Sequence, residues 1–216
     1  MSLQQIVEWL RRLVYLDLRV FEEVRSNPTA TIGGVLIAAG SIFLSGIGGF
    51  LWWVTQGYGA QKDIAVHSML LGSLLAVVLW GLVWLGLVYI VLTWFFRERA
   101  YVEQLLRVMG MAATPMALGL LMFIPGISLG IGVASLALTF GLTTLAIQSV
   151  TTGTPARVLV ANACGFFVWA SALTLFASSS FTNLKPHAPG VFLFNATAGI
   201  ADEVLDLDTG TPTLAP

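Results

Sequence analysis

Four long stretches of the chain contain no lysine, arginine, aspartate or glutamate. They cover residues 28–61, 64–96, 108–156 and 158–184. Each exceeds the roughly 20 apolar residues that cross about 30 Å of hydrocarbon as a helix. The third stretch is long enough for two crossings and is divided by Pro125-Gly126. The pattern predicts an all-α integral membrane protein with a transmembrane domain over 28–179, whose five helices lie at about 31–54, 67–96, 108–124, 128–149 and 158–179.

The composition supports this class and excludes others. Apolar residues make up 57% of the 216 residues and charged residues 10%, whereas a soluble domain carries about 25% charged residues. So little charge cannot cover a water-exposed fold, and so much apolar surface cannot remain disordered in water. The net charge of −1 gives no sign of nucleic-acid binding. A single cysteine, Cys164, excludes an internal disulfide.

The basic residues predict the orientation. With five spans, the N-terminus, the loop at 97–107 and the loop at 150–157 share one side. The other side carries only Lys62 and Lys185 as basic residues. The N-terminal side carries eight arginines: Arg11, Arg12, Arg19, Arg25, Arg97, Arg99, Arg107 and Arg157. Basic residues near span ends favour the cytoplasmic side. We therefore expect a multi-pass protein of the cell (inner) membrane with a cytoplasmic N-terminus and an extracytoplasmic C-terminus.

The two ends of the chain differ from the spans. Apolar residues recur at helical spacing over 3–25 among four arginines and four acids, which predicts an N-terminal amphipathic helix within 1–27 on the cytoplasmic membrane interface. A partner-binding helix has the same pattern. Residues 180–216 are rich in proline and acidic residues, and we expect an extracytoplasmic tail held by a partner surface.

Small residues predict how the helices pack, because they let backbones approach closely in lipid. The first, third and fourth predicted helices carry five sets of such residues at spacings of four, and Ser135, Thr139 and Thr143 add hydroxyls to the fourth span. The small residues are Ser41, Ser45 and Gly49, then Gly34 and Ala38, then Ala113 and Ala117, then Gly130 and Ala134, then Ala137 and Gly141.

Three residues of the second span are candidates for binding a cofactor. Trp80 and Trp84 are four residues apart and share one helix face. His67 begins the same helix, and a neutral histidine there can ligate the metal of a chlorophyll or haem. The candidate ligands are a lipid, a quinone or a (bacterio)chlorophyll, although no cofactor is required. The alternatives are packing of the tryptophans against a neighbouring helix and an interfacial histidine.

Catalytic signals are few. Gly126-Ile-Ser128-Leu-Gly130 matches the pattern of a serine nucleophile, and His67 lies on the same predicted side, so a Ser-His dyad is conceivable. Glycine and serine are abundant in this chain, and the Pro-Gly turn already accounts for both glycines. The five predicted spans contain no acid and no base, which argues against ion-coupled carriers, proton pumps and aspartyl proteases.

Three stretches together resemble the prokaryotic form of the Yip-type domain, a family of Ypt/Rab-interacting membrane proteins. They are FEEVRSNPTAT at 21–31, LLRVMGMAATP at 105–115, and the Pro125-Gly126 hairpin followed by TTGTPAR at 151–157. The resemblance covers about residues 20–180 and implies five spans with a cytosolic N-terminus. The Asp-Leu-Tyr-Gly-Pro stretch of eukaryotic members is missing, so Rab binding does not follow. The resemblance implies an architecture and no catalytic residues.

These features favour a non-enzymatic accessory or scaffold subunit of a larger membrane complex, with a respiratory or photosynthetic assembly as a candidate host. The expected partners are other integral membrane subunits and lipids, with no nucleic acid and no soluble substrate. A small-molecule permease or channel is the alternative from a different class. An intramembrane serine hydrolase is the third interpretation.

Overall fold

The computed structural model describes residues 3–55, 62–124 and 126–178, and this part of the chain is helical. The predicted tail over 180–216 lies outside the described residues. Eight α-helices run in the order α1 Leu3–Val14, α2 Val20–Ser26, α3 Ala30–Thr55, α4 Lys62–Leu79, α5 Leu85–Ile90, α6 Val102–Ala112, α7 Ser128–Gln148 and α8 Pro155–Ser178. Two π-helical segments, Trp80–Trp84 and Val91–Phe95, extend α4 and α5 into one long helix, and a 3₁₀ helix, Thr114–Phe123, extends α6.

Five of the described helices are long and apolar enough to cross a membrane, which confirms the predicted number. Spans one to five are Ala30–Trp52, Met69–Phe95, Val102–Phe123, Ser128–Gln148 and Pro155–Leu175. The third span begins six residues before the predicted start at 108, because charged Glu103 and Arg107 lie on its first turns. The helix that contains span three therefore begins with an acid and a base, both of which lie before the predicted span at 108–124.

The N-terminal segment forms two helices, and the prediction of one continuous helix over 3–25 is wrong. Leu16 adopts a left-handed backbone conformation with φ of 59°, which interrupts an α-helix. Asp17 then accepts a hydrogen bond from the backbone N–H of Arg19 at 3.2 Å, at the start of α2. The apolar face of α1 turns toward α2, so Trp9 and Leu13 are buried.

The second span keeps one face against its neighbours over a long distance. Six of its buried residues recur every four positions: Gly72, Ala76, Trp80, Trp84, Val88 and Leu92. Buried Ser73 and Leu85 lie beside them. In a regular α-helix, each step of four residues turns the side chain by about 40°, and such a stripe would wrap around the helix. The π-helical segments insert extra residues per turn and keep the stripe facing the bundle.

Pro115 explains the change of helix type in span three. Proline has no backbone N–H, so the carbonyl of Met111 loses its partner four residues later. The hydroxyl of Thr114 donates to that carbonyl at 2.6 Å. The chain then continues as the 3₁₀ helix to Phe123, and the carbonyl of Pro115 accepts a bond from the Ser135 hydroxyl at 3.0 Å. This last bond joins spans three and four.

Spans one and three pack backbone against backbone. Gly34 lies against Gly110 near one end, and Gly48 lies against Gly119 near the other. A Cβ atom added to Gly34 would lie 2.9 Å from the carbonyl oxygen of Arg107, so no larger residue fits. This confirms that small residues mediate packing in span one.

Span four packs through a different face from the predicted one. Gly130, Ala134, Ala137 and Gly141 are exposed, and a Cβ atom added to either glycine meets nothing within 4 Å. The buried face instead carries Ser128, Gly132, Ser135, Thr139 and Thr143. Hydroxyl groups are small enough for close packing, and they also form hydrogen bonds, which glycine and alanine side chains cannot.

Candidate functional site

The tryptophans of span two lie inside the bundle. Trp80 is 2% exposed and Trp84 is fully buried. The Trp84 ring contacts two aromatic rings of span five, with centroids 5.0 Å from Phe166 and 5.2 Å from Trp169. These distances are typical of attractive aromatic pairs. Protein side chains therefore supply the contacts of Trp84, as the packing alternative expects.

A buried asparagine joins three spans at this point. Asn162 Oδ1 accepts a hydrogen bond from Trp84 Nε1 at 2.8 Å. The Asn162 amide nitrogen donates to the Thr144 hydroxyl at 2.8 Å and to the Phe140 carbonyl at 3.0 Å. We call Asn162, Trp84, Thr144 and the Phe140 carbonyl the asparagine node. Its bonds connect spans two, four and five, and each polar atom in it has a partner.

Sequence reasoning missed Asn162, although the signal was present. It is the single carboxamide within the charge-free stretch 158–175, and an amide in hydrocarbon is costly unless it is hydrogen-bonded. Gly165 lies one turn away and leaves room for the Trp84 ring, since an added Cβ atom would lie 2.6 Å from the Trp84 carbonyl oxygen. An asparagine and a glycine three residues apart in an apolar helix therefore predict one contact face.

His67 does not lie near the tryptophans. Its backbone belongs to α4, and its side chain lies outside the described residues. A helical rise of 1.5 Å per residue places His67 about 20 Å from Trp80. Binding of a lipid, quinone or (bacterio)chlorophyll by these three residues stays a prediction, and a ligand that contacts all three must be at least that long.

Ser128 is buried at the start of span four. Its hydroxyl donates to the Ile124 carbonyl at 2.8 Å, and it is 4% exposed. Gly126 has a φ of 81° and supplies the left-handed residue of the turn between spans three and four. In this arrangement the Gly-x-Ser-x-Gly pattern builds a helical hairpin, with the serine hydroxyl bonded to the backbone.

Arg107 organises one end of the bundle, which we call the basic end. Its guanidinium is 7% exposed and donates to the Thr31 hydroxyl at 2.7 Å, to the Arg25 carbonyl at 3.0 Å and to Glu103 at 3.1 Å. Charged hydrogen bonds are stronger than neutral ones. Arg107 therefore fixes the end of α2 and the start of α3 against span three.

One further ion pair and two hydrogen bonds bring the remaining loops to the basic end. Arg25 donates to the carbonyl of Ser149, which follows span four. Glu98, in the loop after span two, accepts from Arg157 at 2.6 Å and from Thr152 at 3.3 Å. The N-terminal helices and the two predicted cytoplasmic loops therefore meet at one end of the molecule.

Helix α1 is held to α2 by a smaller set of charged groups. Arg12 bonds Asp17 and Glu23, both at 2.8 Å, and Trp9 Nε1 donates to Glu23 at 3.2 Å. The hydrogen bond from Arg12 lowers the pKa of the Asp17 carboxyl below its ordinary value of 3.8, and the bond from the Arg19 backbone adds to this effect. The side-chain hydrogen bonds to Glu23 and Asp17 raise the pKa of Arg12. Asp17 is therefore ionised throughout the neutral range.

No family model, curated protein or solved structure matches this chain.

Chemically, the described polar groups of the spans serve as joints. The asparagine node contains an indole, an amide and a hydroxyl, none of which titrates near neutral pH. Within the described residues, no group of three or more His, Cys, Asp or Glu side chains could hold a metal ion. Among the described span residues, Ser45 has a buried hydroxyl with no hydrogen-bond partner. Its side chain lies against Gly119.

Proposed function

We propose that this chain is a non-enzymatic, multi-pass membrane protein that serves as an accessory or scaffold subunit of a larger membrane complex. The observation that carries the proposal is the use of the polar side chains in the spans. Asn162, Ser135 and Arg107 each join separate helices, as described above. Such bonds hold a bundle in one shape, which is what a scaffold requires. A permease needs polar groups that face a shared path for its substrate.

The large apolar surface supports a role in assembly. Four large apolar side chains are each more than 60% exposed in spans one, two and five: Leu36, Leu71, Leu82 and Phe167. Lipid covers such residues, and so do helices of neighbouring subunits. A respiratory or photosynthetic assembly is the proposed host. The resemblance to the Yip-type family supports the same five-span architecture and adds no catalytic residue.

We further propose that the basic end faces the cytoplasm of a cell (inner) membrane. The gathering of the arginine-rich loops at one end supports this, because basic residues are retained on the cytoplasmic side. The chain offers a direct test, since Cys164 is its single cysteine. In a Cys164→Ser background, Thr55→Cys and Thr154→Cys place one thiol at each end of the bundle. An impermeant maleimide should label Thr55→Cys in intact cells and Thr154→Cys after permeabilisation. The reverse pattern contradicts the orientation.

Mild extraction tests the subunit role. The tagged chain, solubilised in a gentle detergent, should elute as an assembly larger than 23.1 kDa plus its micelle, with a fixed set of membrane proteins identified by mass spectrometry. A harsher detergent should release these proteins and leave the bundle folded. Recovery of a lone, monodisperse chain under the gentle condition contradicts the proposal. Substrate flux into vesicles that contain the purified chain would favour the permease interpretation.

A further inference from the structure

The chain leaves span two through a short run of exposed aromatic and basic side chains. Trp94 is 80% exposed and Phe95 is 78% exposed at the last two positions of the span. Arg97 and Arg99 follow and are both exposed, and Tyr101 is 65% exposed. We call Trp94, Phe95, Arg97, Arg99 and Tyr101 the headgroup patch. The combination of exposed aromatic and basic side chains sets this run apart from the apolar span before it.

The acidic groups beside the patch are engaged elsewhere. Glu98 lies between the two arginines in sequence, but its side chain is 12% exposed and pairs with Arg157. Glu103 pairs with Arg107. Within the described residues, neither Arg97 nor Arg99 makes an ion pair with a carboxylate. The headgroup patch therefore presents two uncompensated positive charges.

The backbone holds these arginines in a defined place. Arg97 has a φ of 57°, a conformation that L-residues adopt rarely. The turn is closed by a hydrogen bond from the Glu98 N–H to the Leu92 carbonyl at 2.9 Å. The Arg157 guanidinium lies 5.9 Å from the centre of the Phe96 ring and covers it. Glu98 and Phe96 thus turn toward Arg157, whereas Arg97 and Arg99 remain exposed.

The position along the span identifies the partner. Span two ends at Phe95, so the arginines lie two and four residues beyond the apolar segment. Tryptophan and tyrosine favour the level of the lipid headgroups, and arginines just outside a span meet the phosphate groups there. Tyr101 also borders an open depression lined by Val102, Glu103, Gln104 and Arg107, in which Glu103 pairs with Arg107. The exposed aromatic side chains and the two unpaired arginines match a negatively charged headgroup next to hydrocarbon.

We propose that the headgroup patch binds an anionic phospholipid of the cytoplasmic leaflet. Trp94, Phe95 and Tyr101 would contact the carbonyl and upper acyl region, and Arg97 and Arg99 would pair with the phosphate. This inference rests on the proposed membrane embedding of the chain. It does not depend on a partner complex, because the patch lies within this chain alone.

Native mass spectrometry of the intact, detergent-solubilised protein tests the site. The protein is titrated with phosphatidylglycerol and, separately, with phosphatidylcholine. We expect tighter binding of phosphatidylglycerol. The double variant Arg97→Asn, Arg99→Gln removes both charges, and asparagine tolerates the left-handed conformation at 97. It should weaken phosphatidylglycerol binding by roughly 30-fold, since each arginine contributes about fivefold. The variant Arg97→Lys, Arg99→Lys should retain most of the preference.

A matched control separates a site from general attraction. Arg11→Gln with Arg19→Gln removes the same charge from exposed positions at the same end, and it should change binding several-fold less. Equal affinity for the two lipids, or equal losses in the two double variants, would overturn the proposal. Failure of the protein to enter lipid vesicles in a flotation assay would also overturn the proposal, because the lipid site requires a chain that is embedded in the membrane. Recovery as a lone chain would contradict only the subunit role.

Discussion

Replacing Gly48 with alanine tests whether close backbone contact between spans one and three stabilises the bundle. An alanine Cβ atom at this position would overlap the carbonyl of Gly119 and would lie 2.7 Å from the Leu120 Cα atom. Both obstacles are backbone atoms. No side-chain rotation relieves the overlap, so the two spans must move apart along this contact.

The expected loss follows from two opposing terms. Overpacking a tight site costs about 1–3 kcal/mol, and a clash with backbone atoms belongs at the upper end. Alanine gains about 1 kcal/mol over glycine in a helix interior. We therefore expect Gly48→Ala to lower the free energy of unfolding by about 2 kcal/mol.

Gly40→Ala is the matched control on the same helix. A Cβ atom added to Gly40 meets nothing within 4 Å, so this variant should be unchanged or more stable by up to about 1 kcal/mol. Unfolding in mixed micelles with increasing dodecyl sulfate, followed by circular dichroism, compares the two variants. Equal midpoints for Gly48→Ala and Gly40→Ala would refute the packing argument.

Three further perturbations address the joints of the fold. Asn162→Leu removes three hydrogen bonds of the asparagine node and should cost about 2 kcal/mol at roughly 0.6 kcal/mol for each bond; the same micelle titration measures it. Arg107→Gln should cost about 2 kcal/mol, because it removes charged bonds from a buried position, and it should speed proteolysis between α2 and α3. Asp17 has a pKa below 3.8 in the fold, so its contribution to holding α1 is present above pH 3.8 and is lost as the pH falls through the lower, folded value. The protection of residues 3–14 against hydrogen exchange, relative to the intrinsic exchange rate at each pH, should therefore fall as the pH is lowered below 3.8, and Asp17→Asn should reduce that difference.

Each of these three has its own check. Thr174 bonds only its own helix, through the Ala170 carbonyl, so Thr174→Ala controls for loss of a polar group from span five. If the free energy of unfolding falls in the double variant of Asn162 and Trp84 by the sum of the two single decreases, the two residues are not coupled through the asparagine node. Unchanged cleavage in Arg107→Gln argues against its role in fixing α2. If the protection of α1 is the same above and below pH 3.8, Asp17 does not hold α1 in place.

The number of spans was readable from the sequence because hydropathy depends on composition alone. The helix ends were harder to predict from the sequence than the number of spans. Glu103 and Arg107 lie on the first turns of span three, where a charged side chain can belong to a helix and still contact polar groups. The gaps between charges therefore give apolar cores of spans rather than helix ends.

Packing faces were harder to predict. Gly130 and Gly141 have the spacing of a contact ridge, but the hydroxyls of Ser135 and Thr139 form the buried face of span four instead. Small size allows approach without determining which neighbour is approached. For span two, the pair Trp80 and Trp84 indicated one shared face, whereas the π-helical winding that keeps the longer four-residue repeat on one side was not predicted.

The two π-helical segments also make span two sensitive to insertions and deletions in a position-dependent way. A π-helical segment is an α-helix with one residue inserted, so deleting one residue within Trp80–Trp84 would restore α-helical winding there and leave the residues after it in nearly the same orientation. Deleting one residue from the regular helix α5 would instead rotate everything after it by about 100°. Leu92 would then turn away from the bundle, and the aromatic and basic residues beyond Phe95 would point in a new direction. The π segments are thus the two places where this helix can lose a residue without reorienting the surface at its end.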